Sequence, residues 1–347
     1  MAKTQTKYKL AFDQNRLDPS LSPPTQGCMA NKKPNLSQAD KKELDELIRL
    51  ARKYMWDAPD YHRYIQSKGV IIEPNRFYSE RPSIQDIENS FEFRDEYAEA
   101  GPFEDPSIFK RQPSKKFMQA NMKLAHEFMP PLSDDPENPK GYFWDNPAFN
   151  KLDAISYWTM IRAHKPNRIV EIGSGFSSLI AAAALEKNGK GELICIEPYP
   201  KPWLSKWLKS GNLIKSPIQD FHIDELNGLL GDGDILFIDS THTVKIGSDC
   251  VYIYLKLLPN INSNILVHVH DIFLPYVRPA ERAIEKHVHW TEHYLLMAYL
   301  LDNPRTEIQF SSRLAHVYFK KAADRFIQKQ FETGGGSFWF TQKARSL

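Results

Sequence analysis

Two short stretches of the 347-residue chain place residues capable of acid–base and ligand chemistry directly after apolar runs. ILFIDSTH ends in Asp239, Ser240, Thr241 and His242, and ILVHVHD ends in His268, Val269, His270 and Asp271. An imidazole takes a proton near neutral pH, so His242 is a candidate general base. Nearby carboxylate oxygens and imidazole nitrogens are also donors for a divalent cation, which lowers the pKa of a bound hydroxyl and fixes its position. A third stretch, EIGSGFSS, sets Gly173, Ser174 and Gly175 between an apolar run and the helix former LIAAAALEK. Glycines there let the backbone turn tightly and approach a ligand with no Cβ in the way. Glu197 stands 22 positions beyond Gly175, at the end of the next apolar run. A carboxylate so placed can accept two hydrogen bonds from a ribose diol.

Such residues need elements that bring them to one edge. From Gly141 onward, short apolar runs alternate with helical segments, which is the pattern of βαβ units and a parallel sheet. Strands are expected over Arg168–Ile172, Glu192–Glu197, Asn212–Ser216, Ile235–Asp239, Ile265–Asp271, Glu307–Ser311 and His316–Lys320. A final apolar segment, Ser337–Phe340, follows Gly334-Gly335-Gly336. Five strands should be parallel, and the last elements, with no room between them for a crossover helix, should form an antiparallel hairpin. The expected fold is α/β: a Rossmann-like, doubly wound, mostly parallel sheet with an antiparallel C-terminal hairpin. In such a sheet, ligands bind outside the carboxyl ends of the strands, where DSTH and HVHD emerge.

The first 140 residues differ. Of the 24 prolines, 15 lie before residue 150, and proline both fixes φ and lacks an amide donor, so no regular sandwich forms there. Ser37 with Asp40 is a candidate helix start, and Leu44, Leu47, Ile48 and Ala51 share the spacing of one buried helical stripe. A second helix is expected over Arg111–Met129, and the polar run SDDPENPK (Ser133–Lys140) is the expected boundary. We therefore expect a Pro-rich, partly helical accessory region over residues 1–140, acting as lid or oligomerisation arm, and a catalytic domain over 141–347.

Composition narrows the partners. With 41% hydrophobic and 25% charged residues the chain is of ordinary globular type, without the roughly 18-residue apolar run of a membrane span. Met1 to Arg16 is polar, with no apolar stretch of signal type, so the expectation is a cytoplasmic protein starting near Met1. A net charge of +2, with no basic and aromatic interleaving, argues against nucleic acid. Cys28, Cys195 and Cys250 lack metal or redox spacing and read as buried free thiols. The expected partner is a small molecule or glycan, with no membrane; homo-oligomerisation stays open.

The residues also carry a resemblance. EIGSGFSS, with a carboxylate two residues before its first glycine, resembles motif I of class I S-adenosylmethionine-dependent methyltransferases. That resemblance implies that Glu171 orients the loop and the amino group of the methionine moiety, with Gly173, Ser174, Gly175 and Ser178 at the cofactor and Glu197 on its ribose. Ser178 occupies the third glycine position of a dinucleotide fingerprint, which argues against a dinucleotide. In the same family a residue after the third strand meets the adenine; Asp220 and Phe221 in SPIQDF match it, Asp220 accepting and Phe221 stacking, although a solvated loop acid fits as well. Asp-x-x-His after the fourth strand, with an acidic position after the fifth, resembles the metal-dependent sugar O-methyltransferases of the macrocin type. This implies Asp239, which also borders the cofactor, together with His270 and Asp271 as metal ligands, and His242 as base. His270 stands where that group has a carboxylate, and imidazole suits manganese, iron or zinc better than magnesium. Whether a metal binds, and which of these four it is, stays open; His268 and His270 could equally close the strand through hydrogen bonds.

A wider resemblance, from Tyr142 to Phe340, is to bacterial class I methyltransferase domains. It covers Trp144-Asp145-Asn146, Phe149, Asp153-Ala154, HDIFLPY, Trp290–Leu296 and GGGSFWF. His287, His289 and His293 lack an acidic or cysteine partner and read as pocket-wall or surface residues, and Trp290 and Tyr294 read as core packing. The implied function is methyl transfer, on the oxygen of a sugar or other small molecule. Alternatives are C- or N-methylation, a nicotinamide-dependent oxidoreductase, which shares the glycine turn and Glu197, and a non-catalytic cofactor-binding subunit. DSTH lacks the Pro-Pro-Tyr-type sequence that nucleic-acid amino-methylation resembles.

Overall fold

The computed structural model describes residues 36–56, 59–149, 151–208 and 212–345. Cys28, Pro23-Pro24 and the Met1–Arg16 segment lie outside the described residues. Two compact units are present, Met1–Ser79 and Glu80–Leu347. Among the described residues no helix is long and apolar enough to cross a membrane.

In the first unit, Ser37 and Asp40 cap the helix Gln38–Tyr54 reciprocally, the Asp40 amide donating to Ser37 Oγ at 3.1 Å and the Ser37 amide to Asp40 Oδ2 at 3.0 Å. The apolar stripe on that helix is not buried. Leu44, Leu47 and Ile48 are exposed, Leu47 by 61%, so the periodicity identified the helix but not its burial.

The second unit holds one seven-stranded sheet: β1 (Arg168–Ile172), β2 (Glu192–Ile196), β3 (Leu213–Ile214), β4 (Ile235–Ile238), β5 (Ile265–Val269), β6 (Thr306–Ser311) and β7 (Phe338–Gln342). The order is β3-β2-β1-β4-β5-β7-β6, parallel from β3 to β5, with β7 antiparallel to both its neighbours. Strand residues alternate between two apolar layers, as a period of two requires when both faces are covered. Ile169, Ile235, Phe237 and Leu266 join the layer of helices Lys151–His164 and Phe176–Asn188. Val170, Ile172, Leu236, Ile238, Val267 and Val269 join the opposite layer, with Tyr254, Leu257 and Leu296.

Three expectations change. His316–Lys320 is not a strand but part of the helix Ser312–Phe326, whose amide at Leu314 is capped by Ser311 Oγ. Burial of Leu314, Ala315, Ala322, Ala323 and Phe326 on its inner side outweighs the strand propensity of His-Val-Tyr-Phe. The sequence's ambivalence survives as a kink at Phe319, with φ −134° and ψ 34°. The antiparallel pair β6–β7 is therefore joined through a helix, and β7 inserts between β5 and β6. The expected helix Arg111–Met129 is two, Gln112–Ala120 and Met122–His126, broken at Asn121. Met118, Ala125 and Phe128 from this stretch, and Phe109 just before it, are buried in the sheet-bearing unit, and the contact boundary falls after Ser79 rather than near residue 140.

Candidate active site

The carboxyl ends of β1, β2, β4 and β5 lie side by side in the sheet, and the candidate residues sit there. After β1 the chain turns at Gly173, whose φ is +82°. A Cβ on Gly173 would lie 2.0 Å from the carbonyl oxygen of Asp239, so only glycine lets the turn close onto the end of β4. Gly175 differs: its φ of −173° is extended backbone, and a Cβ there would meet nothing within 4 Å. It faces open space.

Glu197, beyond β2, reaches back to this turn. Its Oε2 accepts the Ser174 amide at 3.2 Å and its Oε1 the Tyr199 amide at 2.7 Å. Glu171 sits beneath the turn with no exposed surface. Ser178 Oγ donates to its Oε2 at 2.5 Å and Tyr157 OH to its Oε1 at 3.0 Å, while the Gly175 amide donates to Ser178 Oγ at 3.2 Å. Burial pushes the Glu171 carboxyl up to about 7, against the pull of these hydroxyls. Glu171 thus orders the loop through Ser178 from below. Asp220 is exposed at the end of the short helical turn Ile218–Asp220, and Phe221 packs partly into the core, its carbonyl accepting from Tyr252 OH.

After β4 and β5, Asp239, His242, His270 and Asp271 converge. His270 Nδ1 is 3.2 Å from Asp239 Oδ1 and 3.9 Å from Asp271 Oδ2; His242 Nε2 is 3.3 Å from Asp239 Oδ1 and 3.8 Å from Asp271 Oδ2. One ligand atom from each of Asp239, His270 and Asp271 falls within 4.8 Å of the others. Both His242 and Asp271 have φ of +58°, left-handed backbone that non-glycine residues adopt at a cost and that clusters at functional sites. The two imidazoles are buried, whereas about a third of the Asp239 side chain and a quarter of that of Asp271 remain exposed.

Several partners of this cluster are not legible in the sequence. Glu292, buried at the start of the helix Glu292–Leu300, accepts from His242 Nδ1 at 2.8 Å and from Tyr254 OH at 2.9 Å. The His242 ring lies 4.2 Å from that of Trp290, and the Arg278 guanidinium lies over the Trp290 ring at 3.8 Å while its Nη2 donates to Asp271 Oδ1 at 2.5 Å. Trp290 is therefore a wall of the site and not core packing. The His270 ring stacks on Phe149 at 4.5 Å, and its Nε2 is 3.4 Å from Oδ2 of the buried Asp153. Burial alone would lower His242, yet the Asp239 and Glu292 carboxylates push it up to about 9. Burial likewise opposes charge on His270, but Asp239, Asp271 and Asp153 raise it well above the usual range, and the two imidazoles in turn hold Asp239 below the ordinary carboxylate range.

Residues 170–272, which contain the glycine turn, Glu197 and the whole Asp239–Asp271 cluster, match the family described as methyltransferase domain. That stretch of the chain is a methyltransferase domain. An uncharacterized protein of Archaeoglobus fulgidus is 35% identical to it over 166 residues, 44% of this chain and 71% of that protein. Among solved structures, the SAH-bound methyltransferase PaMTH1 of Podospora anserina is 16% identical, with 66% of this chain and 88% of that chain covered and a TM-score of 0.34. The O-methyltransferase TomG from Streptomyces achromogenes in complex with SAM is 14% identical, with 66% and 90% covered and a TM-score of 0.33.

In this methyltransferase, His268 belongs to the core. Its Nε2 is 2.8 Å from Ser337 Oγ, its ring stacks on Trp339 at 3.9 Å, and burial lowers it well below the usual range. Burial also lowers His293, to about 4, against Phe103 and Tyr294. Cys195 and Cys250 are buried free thiols.

Proposed function

We propose that this methyltransferase uses S-adenosylmethionine and methylates a hydroxyl of a sugar or other small molecule. One observation carries the reading: Asp239 supplies both the carbonyl on which Gly173 closes and a carboxylate of the acid–base cluster, so the cofactor turn and the cluster are one site. The open space over Gly175 receives the cofactor, Glu197 exchanges a backbone amide for the ribose diol, and Asp220 with Phe221 borders the adenine.

The acceptor oxygen attacks the sulfonium methyl in line; the new O–C bond forms as the C–S bond breaks, its electron pair staying on sulfur to give S-adenosylhomocysteine. The hydroxyl proton passes to His242 Nε2, the nitrogen that faces the cluster because Nδ1 is held by Glu292.

Asp239, Asp271 Oδ2 and His270 Nδ1 fit a divalent cation: oxygen and nitrogen donors converge, and Arg278 occupies only Oδ1 of Asp271. When bound there, a divalent cation lowers the acceptor hydroxyl's pKa and fixes its position. With a cation held by Asp239 and Asp271, their carboxylates would hold His242 less strongly in its protonated form. The imidazole donor favours manganese, iron or zinc over magnesium.

The test is a screen of sugars, polyols and other hydroxylated acceptors for S-adenosylhomocysteine release, with and without a chelator, followed by mass-spectrometric location of the new methyl. An O-methyl product that disappears in His242→Ala supports the proposal. Methyl on carbon or nitrogen, or full turnover in His242→Ala, overturns it.

A further inference from the structure

Asp153 is the one charged residue of the helical stretch LDAISYWTMI, and it is buried with 1% of its surface exposed. A buried carboxylate this far from water requires partners. Ser312 Oγ donates to Oδ1 at 2.7 Å, the Ser337 amide to Oδ1 at 2.9 Å and the Gly336 amide to Oδ2 at 3.0 Å. The fit is tight, since a Cβ on Gly335 would come within 2.4 Å of Oδ1. These three donors fix the carboxylate, and its Oδ2 stands 3.4 Å from His270 Nε2, slightly short of a closed hydrogen bond. The opposite ring nitrogen, Nδ1, is the one that faces Asp239 and Asp271.

We propose that Asp153 is a positioning residue for the cation site, acting through His270. By accepting the Nε2 proton it selects the tautomer whose Nδ1 lone pair points into the cluster, and it fixes the ring plane that Phe149 supports from one face. A histidine that binds a metal through one nitrogen almost always donates the other N–H to a carboxylate or carbonyl, and loss of that partner typically weakens the metal by about 10–100-fold. This inference rests on the cation reading of the preceding subsection.

The experiment is calorimetric titration of Mn2+ into the full-length, chelator-treated protein, with S-adenosylhomocysteine titrated into the same samples as a measure of an intact fold. Asp153→Asn keeps the volume and, with its oxygen at the Oδ1 position, an acceptor for Ser312 Oγ and the Ser337 amide, while its NH2 replaces the oxygen that faces the Gly336 amide and His270 Nε2. It should bind Mn2+ about 10–100-fold more weakly than the native protein while retaining native S-adenosylhomocysteine affinity. In electron spin-echo spectra of bound Mn2+, the nitrogen coupling that His270→Ala abolishes should be altered in Asp153→Asn. Mn2+ affinity within about twofold of native, with that coupling unchanged, overturns the role of Asp153 and leaves the cation reading standing. Absence of Mn2+ binding by the native protein overturns both. Should Asp153→Asn not fold, Ser312→Ala removes one donor from the carboxylate and leaves both backbone donors; it should weaken Mn2+ several-fold, and native affinity in that variant overturns the proposal.

Discussion

Glu171 shows how a buried residue can order the turn above it. It lies under the glycine turn, without exposed surface, and burial pushes it up to about 7 from the ordinary 4.5. The folded state therefore holds this proton more tightly than the unfolded chain. Its contribution to stability is fully present below about 4.5 and is lost as the pH rises through about 7, on the order of 3 kcal/mol across that window. Glu171→Gln, which cannot ionise, should gain stability relative to the native protein as the pH is raised from about 5 to about 8; thermal melts across that range check it, and a constant difference contradicts it. At this scale much was legible. Asp239, His242, His270 and Asp271 end strands that the apolar runs reveal, so their convergence followed from a parallel sheet. Glu292 was not, because it reaches His242 from 50 residues away and from a different helix. Asp153 was visible as the lone acid of its helix, yet nothing in its neighbours told that Ser312 and the Gly336-Ser337 segment leading into β7 would supply its donors.

Among the elements, the turn after β1 separates the two uses of glycine. Gly173 carries the positive φ and the 2.0 Å approach to Asp239, whereas Gly175 is extended and open. Gly173→Ala should accordingly destabilise the domain, on the order of 2–4 kcal/mol, by forcing the turn off β4. Gly175→Val should melt within about 1 kcal/mol of native and lose the cofactor, because its side chain fills the ligand's space. Calorimetric melts and cofactor titration of the pair distinguish the roles, and cofactor binding by a folded Gly175→Val removes that space from the site. The five parallel strands were readable from apolar runs between glycine and proline punctuation. The His316–Lys320 segment was not, since its β-branched and aromatic residues suit a strand locally and only burial of the helix's inner side decides against it.

At the scale of the molecule, the sheet-bearing unit from Glu80 to Leu347 includes a Pro-rich stretch whose packing no periodicity announces, which is why composition set the boundary later than the contacts do. If a cation belongs to this unit, a ligand bound only by the folded state adds about 2.7 kcal/mol at a hundredfold excess over its Kd. Chelation should then lower the melting temperature by roughly 5–10 °C, reversed by added Mn2+; an unchanged midpoint removes the cation from the native state. The central claim, that the turn and Glu197 hold S-adenosylmethionine, meets its most direct test in calorimetric titration of the native protein and Glu197→Ala with S-adenosylmethionine, S-adenosylhomocysteine and NAD. The native protein should bind the first two and not NAD, and Glu197→Ala, still folded, should bind them more weakly by roughly 1.5–3 kcal/mol, the cost of lost hydrogen bonds to a charged group. Binding of NAD in preference to both, or native affinity in Glu197→Ala, would contradict the account.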